Sequence, residues 1–195
     1  MQPKYANTPL LDCPIFSSSD DNLSAPPLPM LIRPEQPHDI AAIDRVITRA
    51  FATAPHASGT EARIVDALRE AGALTLSLVA ESHGEVVGHV ALSPVALSDG
   101  TPGWYGLGPL AVAPGHQGKG LGGQLVAHAL DALRQRHAAG CVVLGEPEYY
   151  GRFGFRADPD FVLPGVPPEY FQAVRLTPGA GGGTVAYHQA FEVAA

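Results

Sequence analysis

Gln117-Gly118-Lys119-Gly120-Leu121-Gly122 lies between two stretches of contrasting character. On its N-terminal side, Gly108-Pro109-Leu110-Ala111-Val112-Ala113-Pro114 is an apolar, strand-like run stopped by proline. On its C-terminal side, Gln124–Leu133 has the apolar spacing of an amphipathic helix. A glycine-rich turn from a strand into a helix gathers backbone N–H groups at the positive end of the helix dipole, which suits a phosphate. Glycines at three alternate positions are more than a plain turn needs.

Gly118-Lys119-Gly120-Leu121-Gly122-Gly123 also fits the G-x-G-x-x-G fingerprint of dinucleotide sites, with Glu146 as the downstream acid. Two features weigh against that reading. Pro114–Gln117 separates the strand from the first glycine, where the fingerprint needs a tight turn. Only 49 of the 195 residues follow Glu146, too few for a second half-sheet.

The chain is long enough for one domain with a sizeable core. Its 46% hydrophobic and 16% charged residues fit a globular fold. A net charge of −7 argues against a nucleic-acid surface and is compatible with an amine substrate. Cys13 and Cys141 form neither a disulfide framework nor a zinc spacing, and the eight histidines show no metal-ligand pattern. No membrane span or signal peptide is evident, so a cytoplasmic setting is expected.

Residues 1–29, with their Ser and Pro clusters, read as a poorly ordered extension. The fold is expected to start at Met30, itself a candidate natural start, with a strand at Met30–Arg33. A helix follows, capped by Asp39, and then a second over Gly59–Ala71, capped by Ser58 or Thr60. Strands are expected at Leu74–Glu81, Val86–Leu97 and Tyr105–Ala113, with Ser93-Pro94 marking a bulge or strand end in the second. The helix after the glycine loop runs to about His137, and a buried strand covers Cys141–Leu144. Tyr149–Phe153 reads as one helical turn, with strands at Tyr170–Leu176 and Thr184–Phe191. This order indicates an α/β sheet with helices on its faces.

The loop resembles the Q/R-x-x-G-x-G/A signature of the GNAT acyltransferase superfamily, with Gln117, Gly120 and Gly122 at the defining positions. Leu110–Pro114 is similar to the end of that family's splayed fourth strand. Tyr149-Tyr150-Gly151-Arg152-Phe153-Gly154-Phe155 is similar to its late Y-x-x-x-G-F element. Leu144–Tyr150 and the long C-terminal portion look most like the YhbS-like predicted N-acetyltransferases. The resemblance covers roughly residues 30–195, which would form a single GNAT domain. It implies a mixed, mostly antiparallel α/β sheet that splays after the fourth strand, with helices on both faces.

The resemblance also implies an N-acetyltransferase in which a primary amine of a small molecule or peptide attacks acetyl-CoA directly, without a metal. Leu110, Ala111 and Val112 would pair with the pantetheine arm. Gln117, Gly118, Lys119, Gly120, Leu121, Gly122 and Gly123 would hold the pyrophosphate, chiefly through backbone N–H groups. Tyr150 aligns with the tyrosine that serves relatives as proton donor to the departing thiolate, with Tyr149 as its competitor. Free tyrosine near pKa 10 and thiol near 8.5 make that donation uphill by about 2 kcal/mol, so Tyr150 is expected as general acid or thiol-orienting group. Trp104–Val112 lacks the strand glutamate many relatives use as base, leaving His89, Glu81, Glu146 or bulk solvent. No partner from nucleic acid or membrane is expected, and either a monomer or a homodimer fits. A non-catalytic coenzyme A-binding domain, a hydroxyl acceptor and a longer acyl chain stay open as alternatives. The acceptor would lie near Phe51–Gly59 and Pro164–Phe171.

Overall fold

The computed structural model describes residues 30–52, 57–179 and 181–192. The extension assigned to residues 1–29 lies outside the described residues. Six strands form the main sheet: β1 (Leu31–Pro34), β2 (Leu76–Ser82), β3 (Glu85–Pro94), β5 (Trp104–Val112), β6 (Gly140–Leu144) and β8 (Phe171–Arg175), in spatial order β1-β2-β3-β5-β6-β8. Every neighbouring pair is antiparallel except β5 and β6. Three short strands, β4 (Ala96–Leu97), β7 (Phe161–Val162) and β9 (Gly183–Ala186), make a second sheet in the order β4-β9-β7.

Helices α1 (Ile40–Phe51) and α2 (Glu61–Glu70) lie on one side of the main sheet, and α3 (Leu121–Gln135) on the other. A fourth, α4 (Pro147–Tyr150), is a single turn. The strand period of two divides the core between these helices. Leu76, Leu78 and Ala80 of β2 pack toward α3, whereas Val79 packs toward α1. On β3, Val90 and Leu92 face α3 and Ala91 faces α1. The helices answer at i, i+3 and i+4 spacing: Ile43, Val46 and Ile47 on α1, and Leu121, Leu125, Ala129 and Leu133 on α3.

Several expectations need correction. The strand expected to run to Leu97 is broken at Val95, and β4 pairs with β9 instead of continuing in the main sheet. That switch lets the small sheet close over Trp104, which is 1% exposed and lies 4.4 Å from the Phe161 ring centroid. The final strand covers only Gly183–Ala186, and Gln189–Glu192 is a 3-10 turn. The helix after the loop begins at Leu121, so Gly122 and Gly123 belong to its first turn.

Two helix starts also depart from the expected caps. The Asp39 carboxylate accepts from Arg33 at 2.6 and 3.0 Å and from the Gln36 N–H at 2.7 Å, so it is an ion-pair partner and not a cap for α1. Thr60 makes no side-chain cap for α2, whereas the Ser58 hydroxyl accepts from the Thr60 N–H at 3.3 Å. Glu61 instead reaches back to accept from the Ser58 N–H at 2.7 Å and its hydroxyl at 3.0 Å, one half of a capping box.

Candidate active site

Strands β5 and β6 are paired only at Trp104–Gly106 with Gly140–Val142. Beyond that point β6 stays with β8, through Val143–Gln172 and Leu144–Phe171, while β5 stays with β3 as far as Val112. The two central strands therefore part, and the edge of β5 that faces the gap has no strand partner there. An extra β5 residue relative to β3, between Leu107 and Leu110, adds a bulge at the point of divergence. A bulge re-aims the backbone beside it.

The glycine loop sits at the far end of the opened edge. Gln117 ties it down, since its side-chain amide donates to the Val112 carbonyl at 3.0 Å. Lys119 bends back to donate to the Gly115 carbonyl at 2.9 Å, so its charge closes the loop on itself. Gly118 and Gly120 have φ of +74° and +80°, and a Cβ at either would meet nothing within 4 Å. Glycine is thus needed there for backbone shape, and the space beside it is open. The first turn of α3 leaves N–H groups without intrahelical partners, and they add to the partial positive charge of the helix end. The side chains of Leu121 and Ala111 are both 2% exposed and buried in the core, so each can offer only its backbone to a ligand. The resulting cleft, of about 580 Å³, is also lined by Tyr149, Arg152 and Phe153.

A second cleft, of about 500 Å³, opens at the bulge, with Leu107–Leu110, Phe51, Ile64, Leu144 and Tyr150 among its walls. The tyrosine pair stands between the two clefts. Tyr149 borders the glycine loop, Tyr150 borders the bulge, and their rings meet edge to face with centroids 4.9 Å apart. Gly145 leaves room for the Tyr150 ring, which a Cβ there would meet at 2.4 Å. Among the described residues nothing takes up the Tyr150 hydroxyl in a hydrogen bond. Burial, with smaller contributions from Tyr149 and Cys141, pushes that hydroxyl well above the ordinary tyrosine range, so it stays protonated at neutral pH.

The profile of the acetyltransferase (GNAT) family matches residues 41–155, a span containing both the glycine loop and the tyrosine pair. The chain belongs to the GNAT acetyltransferase family. It is 42% identical to the uncharacterized N-acetyltransferase YhbS of Escherichia coli over 170 residues, covering 83% of this chain and 98% of that protein. Two solved structures share its architecture. A GNAT acetyltransferase from Brucella melitensis, in complex with acetyl-CoA, is 48% identical with a TM-score of 0.75, over 83% of this chain and 97% of that one. The Escherichia coli YhbS structure, in complex with CoA, is 40% identical with a TM-score of 0.78, over 87% and 96%.

None of the residues expected as bases, His89, Glu81 and Glu146, lines either of these two clefts. His89 is fully buried in β3 and lines neither cleft. It belongs to a polar network in which the Ser77 hydroxyl donates to Glu35 and lies 2.8 Å from His89 Nε2. Because that hydroxyl proton is spent on the carboxylate, Nε2 must carry the imidazole hydrogen, and the buried Nδ1 is left without a partner. Glu81 is held by Arg33 in an ion pair at 2.7 Å. Glu146 is exposed and its carbonyl starts the α4 turn. Among the described residues, no cluster of three His, Cys, Asp or Glu side chains could hold a metal ion, and no helix is long and apolar enough to cross a membrane.

His89 is expected to contribute a pH dependence to stability. Burial lowers its pKa to about 4, against 6.5 when exposed, with Glu35 opposing and Arg69 adding to the shift. The unfolded chain therefore binds a proton that the folded chain refuses. Stability from this residue is complete above pH 6.5 and falls as the pH drops toward 4. At pH 5 the loss is about 2 kcal/mol relative to pH 7.5, from the linkage relation alone. Urea unfolding at the two pH values checks it, with His89→Gln expected to flatten the difference.

Arg152 was not singled out by sequence reasoning. Its guanidinium stacks on Tyr149 at 4.5 Å from the ring centroid and donates to the Tyr149 carbonyl at 3.1 Å, placing a cation beside the glycine-loop cleft. Its position inside Tyr-Tyr-Gly-Arg-Phe was the available signal. In the wall of the second cleft, Ser58 falls within the expected acceptor region Phe51–Gly59, whereas Glu61 lies just beyond it.

Proposed function

We propose that this chain transfers the acetyl group of acetyl-CoA to a primary amine by direct attack, with both reactants bound together where β5 and β6 part. The observation that carries this reading is the tyrosine pair between two clefts, one formed by a glycine loop at a helix start and the other by a bulged, unpaired strand edge. These residues fit the coenzyme. The N–H groups of Gln117–Gly123 suit a pyrophosphate, and the positive φ of Gly118 and Gly120 leaves it space. The edge of β5 at Leu110–Val112 offers backbone groups to the amide-bearing pantetheine arm, as an added strand would use them. A thioester so held would present its acyl carbon near Tyr150. Similarity to proteins crystallised with acetyl-CoA and CoA supports this choice of coenzyme.

When bound, the coenzyme supplies an activated acyl group. The amine nitrogen forms the new C–N bond, the C–S bond breaks, the extra amine proton passes to solvent, and the sulfur leaves as a thiolate. The protein holds the reactants together, which alone can lower the barrier by several kcal/mol. Burial makes Tyr150 a weaker acid than free tyrosine, so donating a hydrogen bond to the developing thiolate is favoured over full proton transfer. Residues 30–195 serve as one acyltransferase domain in this reading. Incubation with acetyl-CoA and a panel of amines, followed by thiol release and product mass, tests it. Each released thiol is expected to match one N-acetylated amine. CoA binding without any product in the panel would leave a non-catalytic binding domain.

A further inference from the structure

The second cleft has a chemical character of its own. Its walls are apolar or aromatic, with Phe51, Ile64, Leu144, Leu163 and Phe191 among them, yet it contains one carboxylate. Glu61 is the sole charged residue among the described residues that line it. A carboxylate beside apolar walls attracts a cation more strongly than one surrounded by water. The hydrogen-bond partners of Glu61 are all neutral, namely the Ser58 N–H and hydroxyl, at 2.7 and 3.0 Å, with N–H groups of Glu61 and Gly59. No Lys or Arg lines the cleft among the described residues.

We propose that this cleft is the acceptor site, that it takes a primary amine with an aliphatic or aromatic body, and that Glu61 binds the ammonium group and selects for it. The proposal rests on the acetyl-transfer reading above, since it names the acceptor class of that same site. Tyr150 and the bulge at Gly108-Pro109 form the wall through which the thioester would be reached. An amine held against Glu61 by charge and against the walls by its body approaches that wall. Burial opposes the charge on Glu61, but the N–H groups of Glu61 and Ser58 and the Ser58 hydroxyl outweigh it, so the carboxyl lies below its usual range. Such a group remains an anion at neutral pH and is a poor proton acceptor. Glu61 is therefore a binding residue, and the ammonium proton departs to solvent.

Glu61 also begins α2, so the test must separate helix capping from amine recognition. Glu61→Gln keeps an oxygen to accept from the Ser58 N–H and removes only the charge. Initial rates are measured with acetyl-CoA and 2-phenylethylamine, hexylamine or ethanolamine. For the wild type, KM for the two apolar amines is expected at least 10-fold below that for ethanolamine. In Glu61→Gln, KM for both apolar amines should rise about 10-fold or more. The acetyl-CoA KM, the kcat and the melting temperature should stay within about threefold, threefold and 2 °C respectively. An unchanged amine KM, or a preference for ethanolamine, overturns the proposal. Calorimetric titration of 2-phenylethylamine onto the CoA-loaded protein separates the two readings. Binding that Glu61→Gln weakens, without turnover of any amine, upholds the amine site and defeats acetyl transfer. Absence of both binding and turnover defeats the acceptor proposal.

Discussion

Gly120→Asp is expected to lower affinity for CoA by at least two orders of magnitude while leaving the fold intact. Gly120 has φ of +80°, a conformation that Asp and Asn tolerate better than other side chains. Its Cβ direction meets no protein atom within 4 Å. The fold has space for the new side chain, at a backbone cost of about 1 kcal/mol that Gly120→Asn shares. The coenzyme cannot, because the new carboxylate would stand at the start of α3, where the account puts the pyrophosphate, and like charges at close range repel in a partly enclosed cleft. Gly120→Asn carries the same bulk without charge and is expected to lose about 10-fold. Titration calorimetry with CoA, alongside melting temperatures, reads both variants. Gly120→Asp binding within about threefold of wild type would remove the pyrophosphate from this loop.

Tyr150→Phe is expected to reduce kcat about 100-fold and to change the acetyl-CoA KM less than threefold. Loss of a positioned donor at the leaving group has this size. A change confined to kcat marks an interaction made only as the thiolate forms. The ring is retained, so its packing against Phe155 and Tyr149 persists and stability should shift little. Tyr149→Phe is the control. Its hydroxyl faces the first turn of α3, 2.6 Å from where a Gly122 Cβ would lie, and the change should alter kcat less than threefold. The reverse ranking would exchange the roles of the two tyrosines.

Local pattern explains what could be read from the chain and what could not. The glycine loop, α3 and the turn at Tyr149–Phe153 follow from spacing within a few residues, and the structure has all three. Ser93-Pro94 was a legible signal for the end of β3, but the new partner of Ala96–Leu97 was not, because Val185–Ala186 lies nearly ninety residues away in the chain. His89 was a candidate base because a histidine in an apolar strand looks available. In the central strand β3 both faces are covered, so the alternation that would have separated inside from outside is lost. Glu61 was hidden differently. Ser58-Gly59-Thr60-Glu61 reads as a helix start, and it is one; that the same carboxylate borders an apolar cleft depends on Leu163 and Phe191, supplied by distant segments.

A crystal structure of this protein with CoA bound decides whether the coenzyme lies in the gap between β5 and β6. The pyrophosphate is expected against the N–H groups of Gln117–Gly123, the pantetheine arm along Leu110–Val112, and the sulfur within about 4 Å of the Tyr150 hydroxyl, consistent with a hydrogen bond to sulfur. A pyrophosphate seated elsewhere would contradict this placement, for example in the charged cleft beside Arg45 and Arg49. So would a sulfur directed away from the tyrosine pair.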